Sequence, residues 1–175
     1  MLSQQPLPCN IILIGFMGSG KSTLGNYLSQ MTGFTCYDID TIIEQMAGQT
    51  VQEVFSNLGE AHFRSLEKEV IASFSKVENA IISCGGGVVL DNDNVNSLRK
   101  TGKLVWLKAN PETIHNRLQN QNNRPLLKGK VLEDIRVMLQ QRLHLYEAAA
   151  DYSVITDNMP ISDLSKNIFN LFKVQ

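Results

Sequence analysis

The run Gly15-Phe16-Met17-Gly18-Ser19-Gly20-Lys21-Ser22 has the spacing G-x-x-x-x-G-K-[ST], whose glycines let successive backbone amides wrap a polyphosphate. An apolar run precedes it and an amphipathic segment follows, so the loop should open a helix whose positive dipole end meets the phosphates. Gly18, Ser19, Gly20, Lys21, Ser22 and Thr23 are the candidate nucleotide contacts. Lys21 would reach the β- and γ-phosphates, and the Ser22 hydroxyl would coordinate Mg²⁺. The pattern implies a bound nucleotide but does not separate a kinase from a switch or a motor.

Asp38-Ile39-Asp40 closes the second apolar run. Alternation along an extended segment sends both carboxylates to one side, toward the carboxyl edge of a sheet, where ligands bind. One acid could hold the Mg²⁺ shell while the other accepts a proton from an attacking hydroxyl. Alternatively, Asp40 only caps a helix beginning at Thr41.

Two arginines stand out by their place on helical faces. Where Phe63, Leu66, Val70 and Phe74 recur with helical period, steps of about 100° per residue put Glu67 inside the apolar arc and Arg64 on its margin. At i,i+3 the carboxylate can hold the guanidinium in place, unless the two form only a surface pair. Between Leu132 and Ala149, Leu132, Ile135, Met138, Leu139, Tyr146 and Ala149 form an apolar stripe with Arg142 near its middle. A guanidinium buried alone costs several kcal/mol (order of magnitude), so Arg142 should face an anionic substrate group, a wet cavity or a buried salt bridge.

Three further segments complete the candidates. Ser83-Cys84-Gly85-Gly86-Gly87 leaves the third apolar run at the same sheet edge, where glycines permit close backbone approach to a ligand. Arg124 lies in the polar, aperiodic stretch Asn120 to Lys130, whose length suits a mobile lid that closes on the phosphates. Arg117, on a helix starting near Pro111, has a flat guanidinium that could stack on a base.

These residues need a scaffold that gathers them. Short apolar runs at Asn10–Ile14, Thr35–Tyr37, Ala80–Ser83, Leu104–Leu107 and Tyr152–Ile155 read as buried strands. They alternate with helical periods such as Leu24, Leu28 and Met31, which predicts an α/β fold with a parallel sheet covered on both faces. The 175 residues suit one domain over 1–175. Net charge is −1, with 43% hydrophobic and 19% charged residues, so there is no general electrostatic pull toward nucleic acid or anionic lipid. Three widely spaced cysteines, Cys9, Cys36 and Cys84, argue against a disulfide framework and for a cytoplasmic location. His62, His115 and His144 lack the i,i+4 spacing of a transition-metal site. No Lys or Arg precedes Lys21 to form a signal-peptide n-region, and the run from Ile11 to Met17 is too short to span a membrane.

Taken in order, GFMGSGKST at 15–23, DID at 38–40, GEAHFRSLE at 59–67, CGGG at 84–87, RPLL at 124–127 and QRLHLYEAAA at 141–150 resemble shikimate kinase. The resemblance runs from Ile11 to about Pro160. It implies a three-layer, nucleoside-monophosphate-kinase-like P-loop fold with a five-stranded parallel sheet in order 2-3-1-4-5. It also implies Mg²⁺-dependent transfer of the ATP γ-phosphate to the 3-hydroxyl of shikimate, on the route to chorismate and the aromatic amino acids, by a monomer. By the same resemblance Lys21 is the phosphate lysine, Ser22 the magnesium ligand, Asp38 a magnesium-shell acid and Asp40 the hydroxyl-binding acid and candidate base. Arg64 and Arg142 would grip the shikimate carboxylate with backbone at Gly85, Gly86 and Gly87. Arg124 would be the lid arginine, and Arg117 and Pro160 would lie at the adenine. Cys84 departs from the more usual small or hydroxyl residue, and Asp157-Asn158-Met159-Pro160 lacks an arginine that some relatives carry. Gluconate kinase would share loop and fold, and its acceptor also carries a carboxylate. A nucleotide switch would normally show N-K-x-D and D-x-x-G segments, and neither occurs.

Overall fold

The structure, a computed structural model, describes residues 8–119 and 131–173. Arg124 and the expected lid over 120–130 lie outside the described residues. Five strands, β1 (Asn10–Ile14), β2 (Thr35–Asp38), β3 (Ala80–Ser83), β4 (Gly102–Lys108) and β5 (Tyr152–Ile155), form one parallel sheet in the order β2-β3-β1-β4-β5. The expected order 2-3-1-4-5 is the one found. β1, β3 and most of β4 are buried, whereas β2 and β5 are half-exposed edges, as a sheet with covered faces and open margins requires.

The period of two along β1 sorts the helices into layers. Ile11 and Leu13 face a cluster with Leu24 and Leu28 of α1 (Lys21–Thr32) and Leu164, Ile168 and Phe169 of α8 (Ile161–Lys173). Ile12 and Ile14 face the opposite cluster. It gathers α2 (Ile39–Ala47), α3 (Val51–Asn57), α4 (Gly59–Ser73), α5 (Asn92–Thr101), α6 (Pro111–Gln119) and α7 (Leu132–Ala149). Helices therefore cover both faces. No helix among the described residues is long and apolar enough to cross a membrane.

Three elements differ from the bounds expected, and the smallest difference is that β2 runs to Asp38 rather than Tyr37. β4 extends to Gly102 and Lys108 beyond the apolar core Leu104–Leu107, because its polar ends have partners in the fold. Lys103 pairs with Asp151 at 3.1 Å, and the Lys108 ammonium sits 4.2 Å from the Trp106 ring centroid. The second helix starts at Ile39 rather than Thr41, and its N-cap is Asp38, whose carboxylate accepts from the Thr41 amide at 3.3 Å. Asp40 is thus in the first helical turn and not the cap. The two acids come to one side through this strand-to-helix corner, not through strand alternation. α3 carries a sequence signal, the reciprocal capping box of Thr50 and Glu53.

At the far end of the sheet, buried Asn10 joins two strands with its amide. Its Nδ2 donates to Val77 O at 2.6 Å and its Oδ1 accepts from Ala80 N at 2.9 Å. Asn10→Ala leaves both backbone groups without these partners and is expected to cost about 2–4 kcal/mol. Thermal melting should fall by roughly 5–12 °C, and an unchanged melting temperature would show that this tie is dispensable.

Candidate active site

The phosphate loop leaves β1 at the carboxyl edge of the sheet, where the strand order reverses. Gly15 turns the chain with φ +145°, where a Cβ would lie 2.7 Å from Leu107 O. Gly20, in the left-handed region, precedes α1 without a side-chain cap, and the first turn of α1 holds no acid. The first turn itself thus carries no acid to oppose an anion at the helix entrance. Lys21 is buried, and its ammonium donates to Gly15 O at 2.8 Å and Phe16 O at 3.1 Å. The loop's own carbonyls thus hold a cation at its mouth.

Asp38 is the hub of the next layer. Its Oδ2 accepts from Ser22 Oγ at 2.7 Å and from Ser83 Oγ at 3.0 Å, while Oδ1 caps α2. One carboxylate beside a helix-entrance hydroxyl suits a hard cation that keeps several waters and takes its other ligands from phosphates. Among the described residues, no group of three or more His, Cys, Asp and Glu gathers as an all-protein metal cage. The donor set fits Mg²⁺.

The triple-glycine loop brings the remaining candidates together. A Cβ on Gly85 would lie 2.8 Å from Asp40 Oδ1 and 3.1 Å from Glu67 Oε1, and one on Gly87 would overlap the Arg64 guanidinium. Gly86 O accepts from Arg142 Nη1 at 3.3 Å. Two carboxylates, Asp40 of α2 and Glu67 of α4, and two guanidiniums, Arg64 of α4 and Arg142 of α7, thus meet three successive glycines. Gly86 itself lies against the phosphate loop, where a Cβ would be 3.1 Å from Met17 N.

Arg64 is held on both edges. Nη1 donates to Glu67 Oε2 at 2.8 Å, and Nε and Nη2 donate to Glu60 Oε1 at 3.3 and 3.1 Å. Glu67 is fully buried, so this is not a surface pair. Burial pushes its carboxyl above the usual range and Arg64 opposes that push, while nearby Asp40 and Asp91 add to it. Arg142 is half-buried rather than fully enclosed, with its guanidinium 5.8 Å from the Phe16 ring centroid. Among the described residues it has no ion pair, which removes the buried salt bridge expected as its alternative.

A cavity of about 480 Å³ runs along this edge, lined by residues 18–24, Asp38, Asp40, Cys84, Gly86, Arg117, Thr156, Met159, Ile161 and Leu164. Arg64, Gly85, Gly87 and Arg142 are not among its lining residues. Pro160 is exposed at the entrance to α8, its carbonyl accepting from Asp163 N and Leu164 N at 3.0 Å each, while its neighbours Met159 and Ile161 do line the cavity. Arg117 ties the opposite wall. Nη1 donates to Gly18 O, Ser19 O and Thr156 Oγ1 at 3.2 Å each, and Nη2 to Thr156 O at 3.0 Å.

Sequence reasoning missed the parts played by Ser83, Thr156 and Glu60, and read Tyr146 only as stripe. Tyr146 is fully buried, and its hydroxyl donates to Gly86 O at 2.5 Å. A buried tyrosine needs a partner for its hydroxyl, so its place in an apolar stripe was a usable signal. Ser83 and Thr156 act across strands and have no local signature.

The family model described as Shikimate kinase matches residues 17–173. A shikimate kinase from Moorella thermoacetica is 41% identical over 95% of this chain and 96% of its own length. One from Caldicellulosiruptor saccharolyticus is 44% identical over 85% and 86%. Among solved structures, shikimate kinase from Acinetobacter baumannii in complex with shikimate superposes with a TM-score of 0.87 at 32% identity, covering 93% of this chain and 92% of that one. The Aquifex aeolicus enzyme gives 0.80 at 34% identity, covering 94% and 96%.

The thiols report on how closed these walls are. Burial pushes Cys36 up to about 11, with Asp38 adding to the shift, and burial pushes Cys84 on the cavity wall higher still. Alkylation by iodoacetamide at about pH 8 is expected to be at least about a hundredfold slower at both cysteines in the folded protein than after unfolding. Peptide mass spectrometry reads the rates, and Cys36 should quicken as pH rises toward about 11. Similar rates in the two states would mean that the thiols are open to solvent.

Proposed function

The chain belongs to the shikimate kinase family, and from that premise we propose which of its residues carry the reaction. The enzyme transfers the γ-phosphate of ATP to the 3-hydroxyl of shikimate, giving shikimate 3-phosphate and ADP in the shikimate pathway. The observation that carries the residue assignment is the convergence of Asp40, Arg142 and Arg64 on Gly85, Gly86 and Gly87, one strand away from the phosphate loop.

Backbone amides of the loop over residues 18–23 and the Lys21 ammonium take the phosphates of ATP, with Lys21 exchanging its loop carbonyls for phosphate oxygens. Arg117 braces Gly18 and Ser19 against Thr156, fixing the loop that must not yield as the nucleotide binds. Its guanidinium and Pro160 then border the adenine. Mg²⁺, held by Ser22 and Asp38, supplies charge neutralisation at the phosphates when bound. Arg64 and Arg142 take the shikimate carboxylate with backbone at Gly85, Gly86 and Gly87, which aims the ring's hydroxyls at Asp40. Asp40 orients the 3-hydroxyl and accepts its proton as that oxygen bonds to the γ-phosphorus and the bond to the β-bridging oxygen breaks. Arg124 is assigned to the transferring phosphate by the family pattern alone.

Catalysis on this reading is positioning plus electrostatic stabilisation prepared before the substrates arrive. Three free cysteines are consistent with work in a reducing cytoplasm. The described elements share one sheet, consistent with a single working unit over 1–175 that acts as a monomer.

A coupled ADP-release assay comparing shikimate, gluconate and nucleoside monophosphates tests the acceptor; turnover with shikimate alone is expected, and turnover with gluconate alone would overturn the reading. Lys21→Ala should lower kcat by roughly a hundredfold or more, because a cation aimed at developing charge is lost. Arg142→Lys turns a bidentate fork into a point charge and should raise the KM for shikimate about tenfold, with the KM for ATP unmoved. Near-normal values in either variant would remove that residue from its role.

A further inference from the structure

The triple-glycine loop carries the acceptor end of the site, yet glycines have no side chains to anchor it. The anchor comes from α7. Gly86 O accepts two hydrogen bonds, from Tyr146 Oη at 2.5 Å and from Arg142 Nη1 at 3.3 Å. Tyr146 is fully buried, and its ring stacks on Trp106 with centroids 5.7 Å apart and planes at 15°. Trp106 belongs to β4, which pairs with β1, and its Cα partner there is Ile14, the last residue before the phosphate loop. The phenol is thus located by the strands that carry the nucleotide cradle, and it acts on the loop that carries the acceptor. Burial pushes the phenol well above its ordinary range, so the hydroxyl remains a donor at any working pH.

We propose that Tyr146 is a positioning residue for the phosphoryl acceptor: its hydroxyl clamps Gly86 O, so that the glycine loop keeps its place against the phosphate loop and the Arg142 guanidinium beside it is held where it can turn toward the acceptor carboxylate. The proposal rests on the reading that Arg142 and the glycine loop receive that carboxylate. Tyr146 acts through Gly86 and through Arg142, whose guanidinium also hydrogen-bonds the phenol oxygen, and it does not touch the acceptor. Without the hydroxyl, Gly86 O keeps only the longer bond from Arg142, and one guanidinium must then serve both the carbonyl and the substrate.

Tyr146→Phe removes the donor and keeps the ring on Trp106, so its melting temperature should stay within a few degrees of the parent. The KM for shikimate should rise roughly three- to tenfold, the range for loss of one hydrogen bond, while kcat and the KM for ATP change by less than about twofold. Trp106 is the only tryptophan, and a fluorescence titration with shikimate alone should show the same loss of affinity. The double variant with Arg142→Lys should lose less than the product of the two single losses, because both donors share Gly86 O. Should Tyr146→Phe prove too unstable to assay, Trp106→Phe keeps the hydroxyl and relaxes its support, and the same selective rise is expected. If Arg142→Lys weakens shikimate binding and Tyr146→Phe does not, Tyr146 is only structural and the proposal fails. Equal rises in both KM values would also overturn it. If Arg142→Lys leaves the KM for shikimate unchanged, the assignment of the carboxylate site is what fails, and the proposal falls with it.

Discussion

Two backbones approach each other closely at the carboxyl edge of the sheet, and the site is organised around that approach. The ladder between β1 and β3 continues past its last paired residues through Cys84 N donating to Leu13 O at 3.0 Å, and Gly86 then lies against the amide of Met17. Neighbouring strands stand about 4.8 Å apart, so the loops that leave them are separated by about one strand. That spacing suits in-line transfer, which needs its reacting atoms roughly 3–3.5 Å apart. A residue with a Cβ at Gly86 would press on the Met17 amide and oblige the two loops to give by a few tenths of an ångström.

Charge in the site is balanced locally before any substrate binds. Lys21 rests on two loop carbonyls, Arg117 on three carbonyls and a hydroxyl, and Asp38 on two hydroxyls and an amide. Each of these partners is neutral. Arg64 is the exception, because it is held by Glu67 from the buried side and by Glu60 from the exposed side. The buried partner fixes direction, and the exposed one is screened by water and contributes little.

Much of this was legible in the chain because it is local. The phosphate loop, the five apolar runs and the i,i+3 relation of Arg64 to Glu67 each depend on spacing within a few residues, and each has its expected place in the fold. Asp38 and Asp40 were legible as a pair but for the wrong reason. Extended alternation was the natural reading of D-I-D, whereas the chain turns into α2 at Asp38 and uses that carboxylate as the cap. The ends of β4 were hidden because Lys103 and Lys108 look like surface residues until Asp151 and Trp106 are brought beside them. Ser83 on Asp38 and Thr156 under Arg117 span 45 and 39 residues, and no local pattern encodes a contact made only by strand order.

The two faces of the sheet have different tasks, which explains why long-range contacts were the ones hidden. On one face, α1 and α8 pack on Ile11 and Leu13 and complete the nucleotide end through Ile161 and Leu164. On the other, α2, α4 and α7 send Asp40, Arg64 with Glu67, and Arg142 to the glycine loop, although their sequences are far apart. Helices that pack only through apolar side chains can shift slightly without losing much contact. A loop of three glycines under four charged residues does not tolerate the same freedom, since each charge must keep its own place against the backbone. The tyrosine on α7 answers that need by converting the position of a helix, already set by Trp106 on the central strands, into the position of a carbonyl. Polar ties of this kind have to cross elements, because only the sheet is common to all the parts they join.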